Sequence, residues 1–265
     1  MLLAVCAVAL LSSYAFAQDL TSFNFAVFGD SRPGREHYSE IMRKLSADMA
    51  TQRPIVVLGT GDYIEGSSKP DTLAYQWQGF FLAIAPLQAF GTIPVALAPG
   101  NHDILGSNYN HRVFCQYFDA GYYSFNRGAC HFILLDTEEP GLSGRIGSKQ
   151  LAWLKQDLAA NRAAALTFVA LHQPLYPVSV HIGSSLDQHP QERDALHALF
   201  VREGVDCVFA GHEHLFSRKE KDGVDYVITA GGGAPLYAQA SRGGYYHYLL
   251  VTVSGGSYRV QVRKL

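Results

Sequence analysis

The chain has 265 residues, 48% of them hydrophobic, and a formal net charge of −2. That length and apolar content suit one sizeable α/β domain whose core needs no disulfide staples. With 21 Lys and Arg against 23 Asp and Glu there is no basic excess, so bulk charge gives no reason to expect a nucleic-acid partner. A small anionic substrate would need a local positive site, such as bound metal.

The first stretch is an apolar run, Met1 to Leu11, followed by Ser12-Ser13-Tyr14-Ala15-Phe16-Ala17-Gln18. An apolar run ending in Ala-x-Ala is the pattern of a secretory signal peptide, so cleavage is expected after Ala17. No Lys or Arg precedes the run, and Cys6 comes too early in it for a lipoprotein site. The expectation is a secreted or periplasmic protein with one domain over 18–265. No later segment reaches the ~18 apolar residues needed to span a bilayer. Of the 4 Cys, Cys115, Cys130 and Cys207 remain after cleavage. In an oxidising compartment Cys115 and Cys130 could pair, whereas Cys207 sits in an apolar strand as a buried thiol. The absence of Cys-x-x-Cys argues against a thiolate zinc site.

Phe23 to Phe28 reads as the first strand of the mature chain and runs into Gly29-Asp30-Ser31-Arg32-Pro33-Gly34. A helix is predicted over about Glu36 to Thr51, with Ile41, Met42, Leu45 and Met49 near helical spacing. Ile55 to Leu58 is the second strand, ending in Gly59-Thr60-Gly61-Asp62-Tyr63. Strand, helix, strand implies a parallel pair with a right-handed crossover, which puts Asp30 and Asp62 on one edge of the sheet. A second helix, about Thr72 to Phe90, leads into a strand from Ile93 to Ala98 and the turn Pro99-Gly100-Asn101-His102-Asp103. The aromatic-rich stretch Tyr109 to Tyr123 reads as loop and helix. Tyr122 to Phe125 and Cys130 to Asp136 then flank Asn126-Arg127-Gly128 as a hairpin. Ser148 to Ala160 is a helix capped by Ser148. The strand Leu166 to Leu171 delivers His172-Gln173-Pro174. About fifteen residues follow without regular structure, long enough to suggest a substrate lid, and they hold His181 and His189. A helix from about Gln191 to Glu203 and a strand from Val205 to Ala210 end at Gly211-His212-Glu213-His214. The tail from Val224 to Leu265 alternates β runs with glycine, including Gly231-Gly232-Gly233.

Five strands thus end in metal-ligand chemistry: Asp30, Asp62, Asn101 with His102, His172, and His212 with His214. Any one has an ordinary reading as a cap or turn residue; five together do not arise easily by chance. Oxygen and imidazole ligands without Cys suit Zn²⁺, Mn²⁺ or iron. The donor set exceeds what one tetrahedral ion requires, so two ions sharing a carboxylate are the natural count. Two such ions ~3.5–4 Å apart can hold a hydroxide and clamp a phosphoryl group. No Gly-x-Ser-x-Gly elbow supports a serine hydrolase instead.

The series Gly29-Asp30, Gly61-Asp62, Gly100-Asn101-His102-Asp103, His172 and Gly211-His212-Glu213-His214 resembles the calcineurin-like metallophosphoesterase superfamily, which includes the purple acid phosphatases. The resemblance implies an α/β fold in which a β-sandwich of two mixed sheets is flanked by helices, with the tail contributing to the second sheet. It implies a metal-dependent phosphoesterase acting by attack of a metal-bridging hydroxide; with the signal-like start the expectation is a secreted enzyme, and the compact chain, with little room for a large recognition domain, favours a monoesterase of small or protein-borne phosphate esters over a diesterase that shares the motifs. The resemblance also implies that Asp62 bridges two ions, that Asp30 and His214 bind the first, and that Asn101, His172 and His212 bind the second. His102, oriented by Asp103, would protonate the leaving group or stabilise transition-state charge.

One position departs from the pattern. Many members have His two residues after the first Asp; here it is Arg32, which either clamps a substrate phosphate or pairs with a carboxylate. The tyrosine ligand of purple acid phosphatases is replaced by Glu65, so the first ion has three assured ligands and would be completed by water, Glu65 or another side chain. A non-catalytic metal- or phosphate-binding protein with a weakened first site is the competing reading. His181 and Tyr237 are expected to border the pocket.

Overall fold

The computed structural model describes residues 22–265 apart from 90 and 92. The predicted signal peptide and its cleavage site lie outside the described residues.

Two mixed sheets form the centre. The first has β1 (Ser22–Phe28), β2 (Val57–Gly59), β3 (Val95–Leu97), β10 (His247–Ser254) and β11 (Ser257–Lys264), in the order β11-β10-β1-β2-β3. Its β1, β2 and β3 run parallel, whereas β10 pairs antiparallel with both β1 and β11. The second sheet has β4 (Tyr123–Arg127), β5 (Cys130–Leu134), β6 (Leu166–Ala170), β7 (Cys207–Ala210), β8 (Phe216–Lys221) and β9 (Val224–Thr229), in the order β4-β5-β6-β7-β9-β8. Here β5, β6, β7 and β9 are parallel and the two edge strands antiparallel. The tail from Val224 therefore divides between the sheets: β9 joins the second, as expected, but β10 and β11 complete the first.

Side-chain alternation explains the layering. On β1, Phe23, Phe25 and Val27 point between the sheets, where Phe25 meets Phe132, Phe168 and Phe209 edge-on at 4.9–6.1 Å. Ala26 and Phe28 point the other way, into a cluster with Met42, Leu45, Trp77 and Phe80. That outer cluster is supplied by α1 (Glu40–Thr51), α2 (Pro70–Ile84) and α4 (Asn108–Phe118). The far face of the second sheet is covered by α5 (Ser148–Ala160) and α6 (Pro190–Glu203) through Leu154, Leu158, Leu199 and Phe200. The order is helix, sheet, sheet, helix.

Two helix boundaries and one suggested pairing differ from the sequence reading. α1 starts at Glu40 because Ser39 caps it, accepting from the Met42 amide at 3.1 Å. α2 is shorter at its C-terminal end, giving way at Ala85 to a 3₁₀ turn that includes Pro86. Cys115, Cys130 and Cys207 are all free thiols, so the suggested Cys115–Cys130 pairing is not made. Cys130 faces the intersheet core, while Cys115 sits beside His111 on α4. No helix among the described residues is long and apolar enough to cross a membrane.

Candidate metal centre

Because β1, β2 and β3 run parallel, as do β6 and β7, their carboxyl ends gather six of the predicted ligands. Asp30, Asp62 and His172 are buried, and one ligand atom from each lies within 4.8 Å of the others. Around them, His172 Nε2 is 2.9 Å from Asn101 Oδ1, 3.1 Å from His212 Nδ1 and 3.4 Å from Asp62 Oδ1. On the other side, His214 Nε2 is 3.4 Å from Asp30 Oδ1.

The backbone is bent to achieve this. Asp30, Asp62, His212 and His214 all have left-handed φ, between 47° and 73°. Non-glycine residues adopt that region at a cost, and such strain clusters at functional sites. Glycine makes the close approach of the loops feasible. A Cβ on Gly100 would lie 2.2 Å from the Asp62 amide nitrogen, and one on Gly211 2.6 Å from Asp30 Oδ2.

Hydrogen bonds fix the ligand tautomers. A carbonyl only accepts, so His172 Nδ1–H donates to Thr60 O at 2.8 Å and leaves Nε2 facing the cluster. His214 Nδ1–H likewise donates to Pro235 O, freeing Nε2 toward Asp30. The His212 amide donates to both Asp30 oxygens at 3.0 Å.

The charges show what such a set is built for. Burial alone would lower the pKa of His172, but Asp62, Asp30 and Glu138 outweigh it and raise it to about 9. Burial, and then the nearby His172, His181 and His214, hold His212 far below its usual range. Lone pairs from Asn101, His172, His212 and Asp62 therefore converge on one point, where a positive charge is favourable. Two carboxylates, imidazoles and an amide oxygen fit a borderline or hard cation.

The structure corrects one pairing. Asp103 does not orient His102. Its buried carboxylate accepts from the backbone N–H groups of Asp62, Tyr63, Ile64 and Gly100 at 2.8–3.2 Å. The reason is geometric: Asp103 lies in α3 (Asn101–Ile104) one turn after Gly100, so its side chain turns back to the loop start. His102 Nδ1 instead faces Glu65, 3.3 Å from its carbonyl oxygen and 3.8 Å from Oε2. Glu65 in turn accepts from Arg32 Nη1 and the Gly34 amide, both at 2.8 Å. Arg32 Nε, buried and without another partner, stands 3.8 Å from Asp62 Oδ2. Glu65 is thus engaged by Arg32, which is paired with a carboxylate, one of its two expected readings, while its Nε stands toward Asp62.

The lid residue His181 stacks on His212 at 3.8 Å between centroids, and Tyr237 stacks on His214 at 4.0 Å. His189 stands at the N-terminal end of α6 and makes none of these contacts. Two buried carboxylates escaped the sequence reading. Glu213, inside the last motif, lies 3.8 Å from His181 Nδ1 and is raised to about 7 by burial. Glu138 accepts from Thr137, Ser143 and Gln173, and burial raises it to about 7 as well. Glu213 was visible as a charge between two ligand histidines, whereas nothing local marked Glu138.

Residues 23–216 match the family model of the calcineurin-like phosphoesterases. The chain belongs to this family. Members, with their purple acid phosphatase relatives, use two metal ions, and the family is hydrolytic. The chain is 30% identical over 196 residues to purple acid phosphatase 23 of Arabidopsis thaliana, covering 66% of this chain but 39% of that protein. It is 29% identical over 153 residues to the human serine/threonine-protein phosphatase CPPED1, covering 54% of this chain and 49% of that one. In fold it is similar to purple acid phosphatase PPD1 of yellow lupin, with a TM-score of 0.71 at 21% identity, over 92% of this chain and 51% of that one. The chain therefore spans about half or less of the length of these relatives.

Proposed function

We propose that this chain is a metal-dependent phosphoesterase that hydrolyses phosphate monoesters. The observation that carries the reading is the convergence of Asp30, Asp62 and His172, with Asn101 and His212 completing one side and His214 the other. In this reading Asp62, Asp30 and His214 would hold one ion, and Asp62, Asn101, His172 and His212 would hold the other. When bound, the pair would supply Lewis acidity and an ionised water near neutral pH.

The chain's own groups would do the rest. Arg32, held by Glu65, directs its guanidinium toward the cluster, where it would bind a non-bridging phosphate oxygen. His102 donates Nδ1–H to the Glu65 carbonyl, and in the doubly protonated ring Nε2 would carry the proton given to the departing alkoxide. His181 and Tyr237 cover the ligand histidines and limit water access. The apolar run at 1–17 supports export, and the four-layer arrangement supports one domain over 18–265.

The test is metal content of the purified protein together with rates on 4-nitrophenyl phosphate and bis(4-nitrophenyl) phosphate. Near two ions per chain and preference for the monoester are expected. Preference for the bis compound would make it a diesterase. A second reading has one specific observation behind it: Arg32 lies 3.8 Å from the Asp62 oxygen on the first-ion side. One ion or none, and no turnover after adding Zn²⁺, Mn²⁺ or Fe²⁺, would favour a non-catalytic binding protein.

A further inference from the structure

Beside the metal centre lies a cavity of about 540 Å³. Cavities of ~300–1,000 Å³ are the usual size for small-molecule sites. Its walls come from three segments: Val178 and Ser179 in the lid, Phe216 and Ser217 at the start of β8, and Tyr237 and Arg242 after the glycine run.

Two features connect it to the chemistry. Tyr237 is shared: it lines the cavity, and its ring stacks on His214 at 4.0 Å. The cavity thus begins where the ligand cluster ends. Val178 and Ser179 also precede His181, whose ring lies on His212. None of the six ligand residues lines the cavity; Tyr237 and the segment leading to His181 are its links to the cluster.

The lining also has a definite chemistry. Val178 and Tyr237 are 46% and 40% exposed, so both present apolar surface that gains by being covered. No lining residue is acidic, and the single formal charge is that of Arg242. Arg242 is in no ion pair among the described residues, whereas Arg32, Arg145, Arg193 and Arg218 all are. A guanidinium among apolar lining residues offers a forked pair of donors to an anion.

We propose that this cavity is the leaving-group subsite, and that it selects phosphate monoesters whose leaving group has an aryl-sized apolar body carrying a carboxylate or second anionic group. The apolar body lies between Val178 and Tyr237, and the anion meets Arg242. The assignment rests on the phosphoesterase reading for the position of the phosphate, but it is separable by experiment.

The test is calorimetric binding of benzylphosphonate and 4-carboxybenzylphosphonate to the metal-loaded protein. Neither can be turned over as an ester, so binding is read independently of catalysis. The carboxylate is expected to tighten binding about fivefold, the scale of one exposed ion pair. R242A should abolish that ratio, and R242K should keep most of it. Equal affinities in the parent, or a ratio that survives R242A, would overturn the subsite, as would failure of both phosphonates to bind. If the ratio behaves as expected while no ester is hydrolysed, the subsite stands and the catalytic reading falls. If esters are hydrolysed but the ratio is absent, the reverse holds.

Discussion

The two halves of the ligand cluster are built differently. On one side Asn101, His172 and His212 meet within 3.1 Å, and His172 is held from behind by the Thr60 carbonyl. On the other side His214 Nε2 lies 3.4 Å from Asp30 Oδ1, and a guanidinium stands 3.8 Å from the remaining oxygen of Asp62. The first half is all lone pairs. The second already contains a positive charge, tethered by Glu65. A cation entering there meets Coulomb repulsion that is strong at short range and weakly screened in a buried site. In the proposed reading, the comparison teaches that a single side chain beside Asp62 would make two ion sites on one scaffold unequal in affinity.

Removing the shared element should do the most. Asp62→Asn is expected to lower the rate on 4-nitrophenyl phosphate by about 10³-fold, the scale seen when a transition-state charge contact is deleted. Elemental analysis should show loss of metal from both halves; loss from one alone would mean that Asp62 does not span them.

Next comes the staple beneath the cluster. Asp103→Ala leaves four buried amides without their acceptor, which should cost about 3–5 kcal/mol in urea unfolding. His102→Ala should leave stability within about 0.5 kcal/mol while slowing turnover, since surface changes away from packed features cost little. If the two variants gave the same profile, the separation of Asp103 from His102 would be wrong.

The asymmetry itself is addressed by Arg32→His, which replaces the competing charge with a donor. The weaker ion should bind about tenfold more tightly, the lower end of what neighbouring groups exert on metal affinity. Stepwise titration with Zn²⁺ would show the two affinities converging; an unchanged gap would remove Arg32 as its cause.

The smallest effect is a control away from both halves. His111 is hydrogen-bonded to Asp136 at 2.8 Å, and that bond raises its pKa to about 10. An unfolded histidine titrates near ~6.5. The stabilisation is therefore fully present below that value and is lost as the pH rises toward about 10. His111→Phe should flatten this slope by about 1 kcal/mol, allowing for solvent screening, whether or not metal is bound.

Much of this was legible from short motifs. Gly-Asp, Gly-Asn-His and Gly-His-Glu-His each follow an apolar run, so strand and turn could be read together, and Asp30, Asp62, His172 and His214 meet as that reading anticipated. What escaped was direction. Asp103 is next to His102 in sequence, but a helical turn aims the two side chains apart. The partner of Arg32 was equally invisible, because Glu65 lies 33 residues away and only the packing of two loops joins them. The tail showed its strands by alternation, yet period two says nothing of which sheet a strand will join.

Asp103 has a consequence for fluctuation as well. Its carboxylate ties Asp62, Tyr63 and Ile64 to Gly100, two loops nearly forty residues apart in sequence. Neither loop can lift without breaking the same junction, so the opening that exposes one amide exposes all four. In native-state hydrogen exchange these amides would form a single protected set with a common opening free energy. The bridging carboxylate would then be withdrawn or offered together with Asn101, and the ligands on either side of it would be present or absent as one unit.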